Sequence, residues 1–450
     1  MAFLTDQQTI DDLNLFGKSA GDSIYQIFNR TKTRGGAAIL EEMFRFPLSD
    51  DAKINHRSKI IQHFASSRAS FPFSTDHFDP VESYVRNTDI RTKLSAQEDS
   101  IAKKLSNLVA LDAMTTGIHA GITALISLLK ELHQFLNGLD METLDFYRQD
   151  KAELLSLLDL PGMKEALLLP VESKLTSTEY MACDELFRFR HREAVLKILN
   201  YLYGLDVYFS VARVAVERDF IFPKALPKQQ HIVKLEGVYH PQLQSAVANS
   251  IQITPGSNVI FLTGANMAGK STFMKSLSIS LFLAHMGFPV AARYMEFSVL
   301  DGIYTTINLP DNLGMGASHF YVEVLRTKKI AQELALGRNL FVLFDEMFRG
   351  TNVKDAAEAT IAFTEAFAGK RDSMFVISTH IIEAGEVLKE RCDNINFVYL
   401  PTRMNGNHPV YTYTLEQGLT ADRHGMVIIR NEGILDILAA GMERMNKQKI

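Results

Sequence analysis

Asn258-Val259-Ile260-Phe261-Leu262-Thr263 runs directly into Gly264-Ala265-Asn266-Met267-Ala268-Gly269-Lys270-Ser271, and this stretch decides how the second half of the chain is read. The first six residues have the near-continuous apolar character of a strand covered on both faces. The next eight match G-x-x-x-x-G-K-[ST], and Thr272 to Phe282 carry a helical pattern. Strand, glycine loop and helix in that order are the context that a phosphate-binding loop requires. Its glycines let backbone N–H groups turn toward phosphate oxygens, and the helix adds the positive end of its dipole. Lys270 is then placed to reach β- and γ-phosphates, and the Ser271 hydroxyl to ligate Mg²⁺.

Two further apolar runs, Leu340-Phe341-Val342-Leu343-Phe344 and Ser373-Met374-Phe375-Val376-Ile377-Ser378, repeat the strand signal with helical patterns between them, as βαβ units require. Each ends in chemistry. Phe344-Asp345-Glu346 is a strand running into two acids, with Asp345 expected in the Mg²⁺ shell and Glu346 expected to orient or deprotonate the attacking water. Ser378-Thr379-His380 puts an imidazole at a strand end, where it can hydrogen-bond a γ-phosphate or that water. Gly314-Met315-Gly316-Ala317-Ser318-His319-Phe320 leads into a helix expected from about Tyr321 to Leu336. It reads either as a second anion-binding helix start, suited to a phosphate held by another subunit, or as a plain N-cap.

Working outward, 450 residues at about 150 per domain leave room for two or three domains. With 46% hydrophobic and 22% charged residues the balance is that of a globular chain, which excludes a largely disordered one. Lys and Arg number 47 against 52 Asp and Glu, so the net charge is -5 and any nucleic-acid contact has to come from a local patch. Two cysteines, Cys183 and Cys392, exclude a disulfide framework and fit a reducing compartment. The start lacks a basic segment before an apolar one, and the most apolar stretch, Ile279 to Ala292, is too short to span a bilayer. A cytoplasmic protein with no membrane contact is expected.

Texture divides the chain near Phe222-Pro223-Lys224-Ala225-Leu226-Pro227, giving expected domains at 1–227 and 228–450. The first is helix-rich. From about 101 to 137, Leu108, Leu111, Thr115, Ile118, Ile122, Leu125, Leu129, Leu132 and Leu136 alternate steps of three and four, the repeat of a long helix packed along another. A second helical stretch, about 179 to 216, contains Phe187-Arg188-Phe189-Arg190-His191-Arg192. Interleaved aromatics and arginines can stack on bases and neutralise phosphates; such a run is also common on a solvated helix face.

Together these pieces resemble the MutS family of DNA mismatch-repair ATPases, a branch of the ABC-type ATPases. Thr263 to Thr272 is similar to the family's phosphate loop, departing at Ala265 and Ala268, where Pro and Gly are usual. Asp345-Glu346-Met347-Phe348-Arg349-Gly350-Thr351-Asn352 is similar to its second nucleotide motif running into an Arg-Gly-Thr loop. Ser318-His319-Phe320 with Glu323, the switch histidine at His380, and Tyr239-His240-Pro241 also match. So does Thr31-Lys32-Thr33-Arg34-Gly35-Gly36 through Leu40, Pro47-Leu48, Ile54 and Arg57, at the start of the family's core or lever domain. The resemblance implies that Ser318 faces the nucleotide of a partner subunit, that Tyr413 in Tyr411-Thr412-Tyr413-Thr414-Leu415-Glu416-Gln417-Gly418 presents its ring to the adenine from the strand after the switch histidine, and that Asn249 lies at the same site.

The resemblance also implies an architecture, an α-helical core/lever domain followed by an α/β P-loop NTPase domain of the ABC type. The expected nucleotide contacts are Gly264, Ala265, Asn266, Met267, Ala268, Gly269, Lys270, Ser271, Thr272, Asn249, Tyr413 and the partner-facing Ser318. Mg²⁺ is expected at Ser271 and Asp345, and catalysis at Lys270, Glu346 and His380. A homodimer that hydrolyses ATP and engages DNA independently of sequence follows, without mismatch readout. The family's mismatch-reading Phe-x-Glu occurs here only as Phe344-Asp345-Glu346 and Phe363-Thr364-Glu365, inside the ATPase half, and residues 137–190 lack the strand alternation of a DNA clamp. The alternative is a nucleotide-switched protein scaffold that binds no DNA.

Overall fold

The structure, a computed structural model, describes residues 3–17, 23–94, 108–139, 145–170, 173–307, 319–348, 350–405, 408–420, 433–434 and 437–438. The chain forms two compact units. One comprises Met1–Phe28, Met43–Ser58 and Val214–Ile450, the other Asn29–Glu42 and Lys59–Arg213. Three of the four boundaries fall within the helices Arg34–Arg45, Asp51–Ser66 and Arg192–Arg218, and the fourth at the end of the helix Ile24–Phe28.

Among its described residues, the second unit is built of helices. The long one, Leu108–Gly138, buries Ile118, Ile122, Leu125, Leu129, Leu132 and Leu136 along one stripe, while Thr115 stays half-exposed. The expected start of this helix, 101–107, lies outside the described residues. Gly121 sits where a Cβ would come 2.2 Å from that of Tyr84, so the helix Phe78–Arg86 approaches it closely. Phe64 and Phe209 stack at 4.3 Å, and Phe71, Phe73 and Phe135 pack around them. Residues 145–170 and 173–190 hold the short helices Arg148–Leu158, Met163–Leu168 and Ser177–Asp184 and a π-helical turn, Glu185–Arg190. The helix Arg34–Arg45 begins against the buried Asp206, which accepts from Thr33 N (2.8 Å), Thr33 Oγ1 (2.7 Å) and Lys32 N (3.0 Å). That carboxylate supplies acceptors for donors a helix start leaves open.

The first unit is α/β with mixed sheets. In chain order its described strands are β1 (Lys224–Leu226), β2 (Val233–Val238), β3 (Asn249–Ile253), β4 (Val259–Gly264), β5 (Tyr294–Ser298), β6 (Gly302–Thr306), β7 (Leu340–Asp345), β8 (Met374–Ser378), β9 (Ile395–Leu400), β10 (Thr402–Asn405), β11 (His408–Tyr411) and β12 (Glu416–Gln417). The larger sheet has the order β12-β9-β4-β8-β7-β6 and is parallel apart from β12. A smaller sheet, β1-β5-β2-β3, is parallel only between β1 and β5. β10 and β11 form a separate antiparallel pair.

Every residue of β4 and β8 is buried, as are Leu340–Phe344 of β7. Burying one such Val, Ile, Leu or Phe contributes about 1.5–3 kcal/mol. Phe344, Phe367 and Phe375 stack in a row nearly parallel, at 5.8 and 4.6 Å, fixing the helix Val353–Ala368 against β7 and β8. The Thr272–Phe282 expectation appears as the helix Lys270–His285, and that from Tyr321 to Leu336 as His319–Ala335. Among the described residues no helix is long and apolar enough to cross a membrane.

Candidate functional site

Three parallel strands bring the expected residues to one end of the larger sheet. Ser378 of β8 pairs with Leu262 of β4 on one side and Asp345 of β7 on the other. The carboxyl ends of β4, β7 and β8 therefore stand abreast, and an open parallel sheet offers a crevice at that edge. Two backbone bonds lock the line beyond the strands: Thr379 N donates to Leu262 O (3.1 Å) and Glu346 N to Ser378 O (2.8 Å).

The loop Gly264–Gly269 leaves β4 through backbone that favours glycine. Gly264 has φ +145° and Gly269 +101°. A Cβ on Gly264 would meet Leu400 O at 3.0 Å, and one on Gly269 would come 2.9 Å from the Tyr413 ring. Met267, at φ 70° and 74% exposed, turns outward with Asn266. Ala268 is buried. Lys270 opens the helix with a buried side chain; its ammonium donates to Gly264 O (2.7 Å) and Ala265 O (3.2 Å). Burial pulls its pKa below the ordinary lysine range, against the opposing pull of Glu346 and Asp345.

Ser271 Oγ donates to Asp345 Oδ2 at 2.8 Å. Burial raises the Asp345 pKa, and the Ser271 hydrogen bond works against that. A hydroxyl and a carboxylate oxygen in this relation fit Mg²⁺, which takes one or two protein oxygens and completes its octahedron with water and phosphate. Among the described residues no cluster of three or more His, Cys, Asp or Glu is arranged to hold a metal, so a zinc-type centre has no donor set here.

Glu346 and His380 form the site's other pair, with His380 Nδ1 3.6 Å from Glu346 Oε1. The carboxylate raises the His380 pKa, opposed by the imidazole's partial burial. Glu346 has φ 58° and Phe348 φ 60°, so the chain leaves β7 through two left-handed residues. Gly350 completes the turn where a Cβ would lie 2.8 Å from Phe320 N. Glycine is needed for that close approach to the helix His319–Ala335.

Asn249 is buried at the start of β3 and grips a distant loop. Its Nδ2 donates to Tyr413 O (2.9 Å), and its Oδ1 accepts from Leu415 N (2.7 Å). Tyr413 lies between β11 and β12, not within a strand, and at φ 56° its half-exposed ring lies over Gly269. A cavity of about 260 Å³ opens beside that ring, lined also by His240, Val247, Gly269, Thr272 and Ser276. It has room for a flat heterocycle, with a ring for one wall. Asn249 is thus placed to hold that wall through the backbone, a role its sequence position did not reveal.

The structure brings together Lys270, Ser271, Asp345, Glu346 and His380, with Tyr413 and Thr272 beside the loop. Ser318 and the glycines before it, and Arg349, lie outside the described residues. Two members of the run Phe187–Arg192 do not face solvent, while Arg190 is exposed. Phe187 is fully buried, and Arg188, 3% exposed, donates to both oxygens of Asp184 (2.5 and 2.6 Å) and to Thr92. Arg192 donates to Val85 O, and His191 Nε2 lies 3.0 Å from Pro161 O. The Arg188 charge is paired inside the π-helical turn, which moves side chains off the ordinary helical period.

Two family models match this chain. Residues 8–212 match MutS domain III and residues 260–447 match MutS domain V. The DNA mismatch repair protein MutS of Fusobacterium nucleatum subsp. nucleatum is 28% identical over 289 residues, 61% of this chain and 31% of that protein. The protein of the same name from Chlamydia muridarum is 30% identical over 279 residues, 58% of this chain and 33% of its own. The chain spans about a third of the length of the curated relatives it matches. With domain III and domain V matched in succession over most of its length, the chain belongs to the MutS family.

Proposed function

We propose that this protein binds ATP with Mg²⁺ at the end of β4, β7 and β8 and hydrolyses it to ADP and phosphate. The observation that carries the reading is the Ser271–Asp345 contact at 2.8 Å, formed beside Lys270 and next to the Glu346–His380 pair. Strand ends from three separate stretches of sequence supply a phosphate loop, a hard-cation pair and a water-positioning pair within one crevice.

Mg²⁺, when bound, neutralises phosphate charge that develops during the reaction. The chain's own residues do the rest. Loop amides from Gly264 to Gly269 and the helix N-terminus hold phosphate oxygens. Lys270 exchanges its carbonyl partners for the triphosphate. Glu346 accepts a proton from the attacking water or fixes its direction, and His380 keeps that carboxylate oriented. Tyr413, held by Asn249, walls the base.

Two copies close around the nucleotides in this reading, each offering Ser318 to the other's terminal phosphate. The helical unit transmits the resulting motion to DNA in a repair or recombination role. The relatives' names support the DNA connection. A second reading, a nucleotide-switched protein scaffold, gains from the net charge of -5 and from the buried Arg188, which removes one basic contact.

ATP turnover by the full chain, with and without Mg²⁺ and with duplex, branched and single-stranded DNA across a salt series, tests all three levels. Mg²⁺-dependent turnover with DNA affinity that falls steeply with salt supports the DNA reading. Turnover with no DNA binding at low salt supports the scaffold. Absence of nucleotide binding and turnover overturns the site assignment.

A further inference from the structure

Residues 4–12, which no motif singled out, are stitched to the α/β unit along a path that ends at Glu346. Leu4 lies parallel beside Gly302 at the edge of the larger sheet, donating its N–H to Asp301 O (2.7 Å) and accepting from Ile303 N (2.9 Å). A Cβ on Gly302 would stand 2.4 Å from Leu4 O, so glycine alone admits this bridge. Past it, Thr9 Oγ1 accepts from Thr305 N (3.0 Å), and Asp12 Oδ2 accepts from Thr305 Oγ1 and Ile307 N (both 2.9 Å). Thr9 and Asp12 are buried.

Asp6 carries the path onward. Its carboxylate caps Thr9 N (3.1 Å) and accepts from Arg326 Nη1 (3.0 Å), Arg326 Nη2 (3.3 Å) and Lys329 Nζ (3.1 Å). The Arg326 side chain is 9% exposed and also donates to Thr306 Oγ1 (2.7 Å) and Thr305 O. Arg326 therefore ties the helix His319–Ala335 to both β6 and Asp6. That helix's first turn puts the Phe320 ring 6.0 Å from that of Phe348, and its Phe320 N–H backs onto Gly350. Phe348 and Gly350 belong to the tight turn that begins at Glu346.

We propose that Asp6 and Arg326 are positioning residues for Glu346. By pinning the helix His319–Ala335 to β6, they fix Phe320, and Phe320 fixes the turn that aims the carboxylate. The inference rests on the reading of Glu346 as the residue that sets the attacking water; the mechanical linkage itself does not. The nucleotide loop is reached by none of these contacts, so the linkage acts on turnover and not on binding. Burial pushes the Asp6 carboxyl up, but the hydrogen bonds and charge of Arg326, with Thr9 N and Lys329, outweigh it and hold the pKa at about 2, so it stays charged across the working pH range.

The test uses Asp6→Asn in the full chain. Asparagine retains the cap on Thr9 N and removes the charge facing Arg326. Hydrogen exchange at 319–351 should accelerate, kcat for ATP should fall about ten- to a hundredfold, and nucleotide Kd should stay within about twofold. Asp6→Glu should restore most of the turnover. Gly350→Ala, placed at the far end of the path, should lower kcat while amides at 4–12 keep their protection, which guards against a variant that merely loosens the N-terminal segment. Faster exchange confined to 3–12, with kcat unchanged in Asp6→Asn, overturns the inference. Exchange that spreads to 346–351 in a chain whose wild type hydrolyses no ATP leaves the linkage standing and overturns the proposed function.

Discussion

Ser271 and Asp345, 74 positions apart in the chain, hold their side-chain oxygens 2.8 Å from each other. The contact joins the first turn of the helix Lys270–His285 to the last residue of β7, with β8 between β4 and β7 setting the spacing. Ser271→Ala or Asp345→Asn should therefore leave the fold intact and raise the Mg²⁺ concentration needed for half-maximal turnover by at least about tenfold. A Mg²⁺ titration at fixed ATP reads this directly; an unchanged midpoint in both variants would remove the cation from this pair.

Lys270 and Glu346 separate binding from chemistry. Lys270→Ala should weaken nucleotide binding by about 1.5–3 kcal/mol or more, the worth of a hydrogen bond to a charged group. Glu346→Ala should bind ATP, accumulate the two-copy state and turn over about 10²–10⁴-fold more slowly. Isothermal titration and sedimentation velocity distinguish the two outcomes. Normal turnover by Glu346→Ala would end the assignment.

His380 gives the site a pH dependence of known sign. Its pKa is raised by the facing Glu346, so the charged pair is complete below the imidazole's ordinary 6.5 and is lost as pH rises through the higher folded value. Its contribution to stability follows the same course. Above that window Glu346 faces a neutral ring and is the freer base, so turnover should climb with pH across the range just above 6.5. His380→Ala should flatten that limb, which a kcat profile from pH 6 to 9 would show.

Asn249→Ala removes the two hydrogen bonds that hold Tyr413 and Leu415. Both bonds are only partly buried, so each loss costs about 0.5–1.5 kcal/mol. The expected result is faster hydrogen exchange at 411–417 and weaker discrimination of ATP from free triphosphate, with Mg²⁺ dependence unaltered. Equal affinities for ATP in variant and wild type would detach Tyr413 from the base.

Arg188→Ala strands the buried Asp184 carboxylate, and breaking such a pair costs about 3–5 kcal/mol. The effect should be read as a shift in denaturant midpoint. The salt dependence of any DNA binding by the remaining folded protein should match wild type, because Arg188 offers no charge to solvent.

Local pattern carried the reading wherever one strand is apolar throughout. Val259–Thr263, Leu340–Phe344 and Met374–Ser378 are legible because strands buried on both faces leave no polar alternation to confuse the period. Parallel pairing then places the residues after each run at the same edge, so Lys270, Asp345, Glu346 and His380 could be grouped before their distances were known. The smaller sheet was not legible: β2 carries Lys234 and Glu236, β5 opens on an exposed Tyr294, and both depend on partners far along the chain. Leu4 beside Gly302 is a single bridge some 300 positions apart, with no periodic signal to find. In the Phe187–Arg192 run, composition does not report the π-helical turn that folds Phe187 and Arg188 inward. Asn249 was found through resemblance alone, and its grip on Tyr413 is a tertiary fact.

Glu346 stands in a left-handed backbone conformation at φ 58°. That conformation costs an L-residue with a Cβ about 1–2 kcal/mol, a steric penalty glycine lacks and only partly gives back, by roughly 0.5–1 kcal/mol, through its freer unfolded chain. Laboratory evolution toward heat resistance alone would thus be drawn to Glu346→Gly, and the hardiest descendants of this chain would be those that had discarded the carboxylate around which its crevice is arranged.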